Sequence, residues 1–521
     1  MKRGDKNSIK ELLESRFKNQ KITTLKDFPP PSLFANIEIA SKRVAEAIRS
    51  SELITVVGDY DVDGVVASVV LTEFLEAHSA NYELIIPHRL KDGYGITPSV
   101  VERAKGSLII TVDNGIAALS AAIRAKELGK ELIITDHHTP QESLPEAFAI
   151  VNPKLDRCTY PYKDICGAQV AWYLCASIKE HLSSSFHLGS FLDILSIAII
   201  ADVMPLRDIN RVTVQKGFLA LKSSKRAALE VFRDEVGDEF GYEDLSFLLI
   251  PLLNSSGRLD SAMCSFNFLS SKTVSDAKRY FLELKKHNSQ RKEMQNSMLQ
   301  EAIGFHNPSH SFIVAYKEGW HEGVVGIVSS FLTQKFDKPS FVFALENGIA
   351  KGSARSCGRV DIFKTVHSLK DELLKFGGHT KAAGLSLKEA RLESFAKKLE
   401  EAVVYIDDGV EIGADFEIGL DMVDLELVKI LQNYEPYGEG NPKLKFFSSK
   451  AVVESIRKIG KDGRSYILEL SQNFKKIKTF LFNAENLSYK EGDEISLIYD
   501  VSGNYYNKRL EPKIIISKIL F

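Results

Sequence analysis

Leu53-Ile54-Thr55-Val56-Val57-Gly58-Asp59-Tyr60-Asp61-Val62-Asp63-Gly64 joins a continuous apolar, β-branched run to three carboxylates within five residues. Such a run suits a strand buried on both faces of a parallel sheet, and Val65 to Ala77 then reads as a helix. The acidic turn therefore falls at the carboxyl edge of a sheet, where open α/β folds hold their ligands. Alternation along an extended tip is expected to aim Asp59, Asp61 and Asp63 to one side, where their repulsion in a half-buried site calls for divalent cations. The alternative is a solvated acidic turn, and the flanking strand and helix weigh against it.

Outward from this stretch, apolar runs and helical stretches alternate to about Asp202: Glu83 to Pro87, Ser107 to Val112 and Glu131 to Thr135 read as strands of βαβ units in a mainly parallel sheet. Ser275 to Ile303, polar and rich in Lys and Arg, reads as a long helix joining two lobes; its basic face is either solvated or turned to DNA. A second α/β unit begins at Ser311-Phe312-Ile313-Val314-Ala315. Beyond Pro442, short strand patterns at Ser465 to Glu469, Ile477 to Phe482, Glu494 to Val501 and Lys513 to Leu520 suggest a small barrel, an OB-fold first and an SH3-like barrel second. The expected division is 1–50 as a helical extension, 51–270 as the catalytic domain, 271–305 as the connecting helix, 306–405 as the second α/β domain, 406–442 as a linker and 443–521 as the barrel.

Three further sites close predicted elements: Asp113 in Thr111-Val112-Asp113-Asn114-Gly115, Asp136-His137-His138, and Asp202 after the apolar helix Ile194 to Ala201. Singly, each has a plain explanation: an N-cap, a satisfied histidine pair, a buried helix end. An Asp at a helix C-terminus is electrostatically unfavourable, however, and asks for a compensating cation. Hard carboxylates with one or two imidazoles suit Mn²⁺ or Mg²⁺, and a bridging carboxylate would hold two ions about 3.5–4 Å apart, an arrangement that activates water and stabilises phosphoryl displacement.

Gly58-Asp59-Tyr60-Asp61-Val62-Asp63-Gly64, Val112-Asp113-Asn114-Gly115, Asp136-His137-His138 and Ala201-Asp202-Val203-Met204-Pro205-Leu206 resemble, in order and spacing, the four motifs of the DHH phosphoesterase superfamily. Within it the chain resembles the RecJ family of bacterial 5′-to-3′ exonucleases acting on single-stranded DNA. The likeness covers nearly the whole chain and takes in His88-Arg89-Leu90-Lys91-Asp92-Gly93-Tyr94-Gly95, Asn254-Ser255-Ser256-Gly257-Arg258-Leu259, Gly319-Trp320-His321-Glu322-Gly323-Val324-Val325-Gly326-Ile327, Gly352-Ser353-Ala354-Arg355-Ser356, Phe376-Gly377-Gly378-His379 and Pro436-Tyr437-Gly438-Glu439-Gly440-Asn441-Pro442. The resemblance implies that Asp63, Asp113, His137 and Asp202 hold one metal ion and that Asp61 and Asp113, helped by Asp59, hold the other. His138 is then a ligand or orients one. Arg258 would contact the phosphate near the scissile bond, while Arg89, Ser353 and Arg355 receive the 5′-terminal phosphate. Gly377 and Gly378 would allow close approach of a phosphate, and His379 would face the metals and stabilise transferring charge.

Residues alone leave Arg89, Arg258 and Arg355 as arginines in Gly-flanked or loop-like contexts, suited to phosphate but equally ordinary surface charges. Arg457, Lys458, Lys461, Arg464 and Tyr466 are the barrel's candidates for a single-strand track. Where the family's barrel is expected to carry a His-Leu-Lys-Leu-like strand, this chain has Tyr466-Ile467-Leu468-Glu469, a departure at the DNA contacts.

The expected activity is metal-dependent degradation of single-stranded DNA from its 5′ end to 5′-mononucleotides, in recombination and repair. Rivals are a DHH-family oligonucleotide or cyclic-dinucleotide phosphodiesterase, and a non-catalytic DNA-binding scaffold. The resemblance further implies a monomer, with single-strand-binding protein and a RecQ-type helicase as partners. Composition agrees with a multidomain globular enzyme: 521 residues, 44% hydrophobic, 26% charged, net charge −2. The charged start without an apolar run, and the shortness of the longest apolar stretch, Ile194 to Ala201, predict a cytoplasmic protein with no membrane role. Five cysteines without a C-x-x-C pair read as core thiols rather than disulfides or a zinc site.

Overall fold

The computed structural model describes residues 2–89, 91–237, 239–358, 360–405, 413–460, 465–482, 484, 487–506 and 509–520. They form two compact units, Met1–Pro251 with Ser265–Tyr280 and Ile412–Phe521 in the first, and Leu252–Cys264 with Phe281–Glu411 in the second.

The first unit is built on a five-stranded sheet of β1 (Ile54–Val57), β2 (Tyr82–Ile85), β3 (Leu108–Val112), β4 (Glu131–Thr135) and β5 (Ala149–Val151), all parallel and ordered β2-β1-β3-β4-β5. Every residue of β1 and β3 is buried, as their unbroken apolar runs require. α1 (Val62–Ala77) follows β1 and is buried nearly all round, while α2 (Gly167–His181), α3 (Leu192–Ala201) and α4 (Asp208–Ser223) follow β5. Strand order reverses between β1 and β3, so the crevice at their carboxyl ends is the topological switch point at which such sheets bind ligands.

The same unit contains a five-stranded barrel: Phe446–Ile459, Ser465–Gln472, Lys475–Leu481, Glu494–Tyr506 and Arg509–Leu520, closed by pairing of the first strand with the fourth. This 1-2-3-5-4 order with closure is the OB arrangement. Its 14-residue first strand is the one for which the sequence pattern named no segment. Of the residues expected to line a DNA track there, Lys461 and Arg464 lie outside the described residues, as do Leu90 and the 406–412 part of the expected linker. The chain's beginning also belongs here. Lys2–Arg3 pairs with Phe416–Glu417, and the helix Lys6–Phe17 buries Ile9 and Leu13 in the core containing Phe446, Leu468, Leu497 and Ile516.

In the second unit, strands Ile313–Glu318, Ser340–Glu346, Ile349–Arg355, Ala382–Lys388 and Lys375–His379 lie side by side in that order; the first pair is parallel and the rest antiparallel. One face packs on Val325, Val328 and Leu332 of the helix Val325–Phe336 and on Leu299 and Ala302 of the long helix Val274–Ile303. On the other face Phe341 and Phe343 pack against Phe395 of the helix Leu392–Glu401. All five cysteines are free and four are buried, with Cys357 half-buried. Among the described residues no helix is long and apolar enough to cross a membrane.

Candidate metal centre

At the end of β1 the chain does not stay extended. Asp61 caps α1, its carboxylate accepting from Gly64 N at 3.1 Å, so the helix begins at Val62 and Asp63 lies in its first turn. The expected alternation of three carboxylates along a strand tip is thereby corrected, because the N-cap bond turns the chain two residues after Asp59. Gly64 is needed for this fit: a Cβ there would lie 2.5 Å from Asp59 Cβ.

Asp113 follows β3 at φ 62°, with its amide donating to Thr135 O at 3.0 Å, and it is not an N-cap. The next side chain, Asn114, donates to Val57 O and Val112 O and accepts from Ile96 N, which ties the ends of β1 and β3 together. His137 and His138 follow β4, and Asp202 is the C-cap of α3.

Four chain segments thus converge. Donor atoms of Asp59, Asp61 and Asp113 lie within 4.8 Å of one another; so do those of Asp63, His137 and Asp202, and those of Asp113, His137 and His138. His137 Nε2 is 3.2 Å from Asp113 Oδ1, 3.5 Å from Asp202 Oδ2 and 3.7 Å from Asp63 Oδ2. Asp113 and His137 each belong to two of the groups.

The donor set fits divalent ions. Asp59 Oδ2, Asp113 Oδ1, Asp202 Oδ2 and both ring nitrogens of His137 are buried without hydrogen-bond partners, a state that a bound cation relieves. Burial first, then neighbouring carboxylates, pushes Asp59 and Asp113 well above the usual carboxylate range, Asp63 to about 6 and Asp202 to about 7. Burial lowers the pKa of His137, which favours the neutral imidazole that ligates. Part of the repulsion is offset at Asp63, which accepts from Gly167 N at 2.6 Å and Ala168 N at 2.9 Å at the N-terminus of α2.

Asp136 organises the histidine pair. Buried, it accepts from Ile116 N, His137 N and His138 N and pairs with His138 Nδ1 at 2.7 Å. Although burial works the other way, this carboxylate raises the His138 pKa to about 9. His138 also lies 3.3 Å from the Tyr94 hydroxyl.

Comparison with known proteins agrees with this geometry. Residues 53–199 match the DHH family N-terminal domain, 309–404 the DHHA1 domain and 414–518 the RecJ OB domain. The single-stranded-DNA-specific exonuclease RecJ of Salmonella typhimurium is 30% identical over 95% of this chain and 92% of its own length. The chain belongs to the RecJ family. The Bacillus subtilis RecJ is 35% identical over 94% of this chain, which spans 64% of that relative's length. The crystal structure of Thermus thermophilus RecJ in complex with Mn²⁺ superposes with a TM-score of 0.79 at 27% identity, covering 95% of this chain and 73% of that one.

The remaining candidates of this RecJ-family chain are distributed over both units. Arg89, in the first, lies over the Tyr60 ring at 5.1 Å. In the second, Arg258 is helical rather than in a loop: it lies in the last turn of Ile250–Leu259 and donates to Gly323 O at 3.2 Å. Arg355 ends a strand and donates to Ser353 Oγ at 2.6 Å; Gly326, in the first turn of Val325–Phe336, leaves the space, since a Cβ there would lie 3.0 Å from the guanidinium. A guanidinium and a hydroxyl so paired can offer donors to an anion. Gly377, Gly378 and His379 lie in a strand, not a turn. A Cβ at Gly378 would meet Ala382 O at 2.3 Å, so that glycine serves strand pairing, whereas Gly377 faces open space.

Proposed function

We infer that the chain is a divalent-metal-dependent exonuclease that degrades single-stranded DNA from its 5′ end to 5′-mononucleotides. The observation that carries this reading is the convergence of buried, unpartnered carboxylate and imidazole atoms from four segments of a RecJ-family fold. In this reading Asp63, His137 and Asp202 hold one ion, Asp59 and Asp61 the other, and Asp113 both. Bound there, two ions, Mn²⁺ or Mg²⁺, would supply an activated water and neutralise charge on the phosphoryl oxygens. The water oxygen bonds to phosphorus and gives up a proton, the bond to the 3′-oxygen breaks, that oxygen takes up a proton, and the terminal nucleotide departs with a 3′-hydroxyl.

The chain's own groups set up that displacement. Asp136 keeps a proton on His138, which then presents positive charge at the lip of the centre to a phosphoryl oxygen or the departing 3′-oxygen. Within the second unit, Arg355 and Ser353 are proposed to receive a terminal phosphate, which would set the direction of digestion, and Arg258, Gly377, Gly378 and His379 are proposed to contact substrate phosphates; Arg89 is the proposed phosphate contact of the first unit. Single-strand-binding protein and a RecQ-type helicase are the proposed partners, and a monomer in the cytoplasm the proposed state.

A non-catalytic scaffold has no use for this many mutually repelling buried carboxylates, and the OB domain argues for a long strand over a dinucleotide. With Mn²⁺, a 5′-labelled oligonucleotide should release labelled mononucleotide at once, while a 3′-labelled one shortens progressively, and Asp113→Ala should abolish both. Early release of the 3′ label, or no hydrolysis at any Mn²⁺ concentration, overturns the reading.

A further inference from the structure

Asp202 is held from an unexpected quarter. It caps α3 and is followed by Val203 at φ 54°, a conformation costly for a β-branched residue that persists only where its surroundings impose it. The next residues are fastened to the turn Pro436-Tyr437-Gly438-Glu439-Gly440-Asn441-Pro442, which leads into the barrel of the same unit. Leu206 N donates to Glu439 O at 2.7 Å, and Arg207 Nε to Gly440 O at 2.9 Å. Leu206 is buried against the turn so closely that a Cβ on Gly438 would lie 2.8 Å from its Cδ1.

The turn itself is rigid. The fully buried Asn441 side chain donates to Tyr434 O and Pro436 O, and the buried Arg211 of α4 donates to the carbonyls of Tyr434, Glu435 and Pro436. Gly440, at φ +74°, gives the turn its shape.

We propose that this turn is a positioning device for the metal ligand Asp202, with Arg207 and Gly440 as positioning residues. The assignment rests on the metal-centre reading above. It explains why an exposed arginine is aimed at a backbone carbonyl more than two hundred residues away, four residues before the buried Arg211 anchors on the same turn. The turn touches no metal donor itself; it acts through the segment 203–207.

The test is Mn²⁺ binding by the full chain without DNA, read from the electron paramagnetic resonance signal of free Mn²⁺. Arg207→Ala and Gly440→Ala should each weaken Mn²⁺ binding about tenfold, the scale found for groups that support a metal ligand from behind, and Arg207→Lys should recover part of the loss. Arg43→Ala, which breaks the ion pairs with Glu52 and Glu131 in the same unit, should lower the melting temperature without changing Mn²⁺ affinity. The proposal is overturned if Arg207→Ala and Gly440→Ala bind Mn²⁺ within twofold of the wild type, or if Arg43→Ala weakens binding equally. A wild type that binds no Mn²⁺ is a separate result: it removes the metal centre, and the positioning role with it.

Discussion

Gly167→Ala should silence the enzyme while leaving it folded. Gly167 opens α2, and a Cβ there would lie 2.3 Å from Asp113 Oδ1, 2.5 Å from Asp113 Cβ and 2.6 Å from Cγ. Ordinary carbon contacts begin near 3.5 Å, so about 1 Å of relief is required. Asp113 cannot retreat as a residue, because its amide is bonded to Thr135 O and its backbone already occupies positive φ. Either its carboxylate swings away from His137, or the first turn of α2 withdraws and takes from Asp63 the amides of Gly167 and Ala168. Both routes displace a proposed ligand by about 1 Å, for which a loss near 10²-fold is the usual scale. Stability is nearly balanced: the crowding costs roughly 1–3 kcal/mol, and replacing a helical glycine by alanine returns roughly 0.5–1 kcal/mol. The assays are steady-state hydrolysis of a 5′-labelled oligonucleotide at increasing Mn²⁺ and thermal unfolding without metal. The expected pair of results is kcat down about a hundredfold with a melting temperature within several degrees of wild type. A kcat within threefold of wild type, with unchanged Mn²⁺ half-saturation, would refute the bridging position of Asp113.

Asp136→Asn removes the carboxylate that lifts His138 to about 9 and leaves burial, which acts the other way, so the imidazole should lose its proton at lower pH. The rate at pH 8 relative to pH 6.5 should then fall by more than tenfold, and an unchanged ratio would show that the His138 charge is not used. Asp63 and Asp202, at about 6 and about 7, bind more protons folded than unfolded. Metal-free protein should therefore gain stability as pH falls from 7 towards 4, and Mn²⁺, which must displace those protons, should raise the melting temperature more at pH 8 than at pH 5.5; a pH-independent Mn²⁺ effect contradicts this. On the barrel, Lys478 Nζ lies 5.5 Å from the Phe480 ring, which stacks with Phe482 at 6.2 Å. Lys478→Ala with Phe480→Ala should raise KM for long single strands about tenfold and leave dinucleotide hydrolysis unchanged, a split that fails if both fall together.

The sheet was legible because buried parallel strands announce themselves: Leu108 to Val112 and Leu132 to Thr135 hold nothing that a solvent-facing strand would need. The candidate ligands Asp113 and Asp202 stood out for a related reason, since each stands where an apolar run stops. What escaped turns on single bonds and contacts, some between near neighbours and some between residues distant in sequence. Whether Asp61 continues a strand or caps a helix turns on one bond to Gly64 N, and that choice sends Asp63 to a different ligand group from Asp59. Arg258 looked loop-borne because Ser255, Ser256 and Gly257 read as turn residues, but Ser255 bonds Leu252 O and Leu284 O from within a helix. Ile9 and Leu13 gave no sign that their cover lies more than four hundred residues on; removing 443–521 would strip that cover, so point substitutions are the sounder probe of the barrel. Asp136 carried a signal that was passed over, an acid directly before a histidine pair, the usual means of fixing an imidazole beside a metal.

The centre also shows how the fold sets electrostatic terms against one another. The N-terminus of α2 directs two amides at Asp63, a favourable pole for a carboxylate, whereas Asp202 stands at the C-terminus of α3, the wrong one. Asp59 and Asp113 are buried with unpartnered oxygens, and no cationic side chain of the described residues is bonded to them. Left alone, such a cluster relaxes by taking up protons, and the raised pKa values of all four carboxylates express that tendency. Opposing it is a scaffold that does not yield: β1 and β3 are buried over their whole length, Asn114 ties their ends, and Leu206 and Arg207 are fastened beyond Asp202. Repulsive charge on a rigid frame is a centre organised before its cations arrive, so the cost of gathering the ligands is met by folding and little of it remains to be met at the moment of binding.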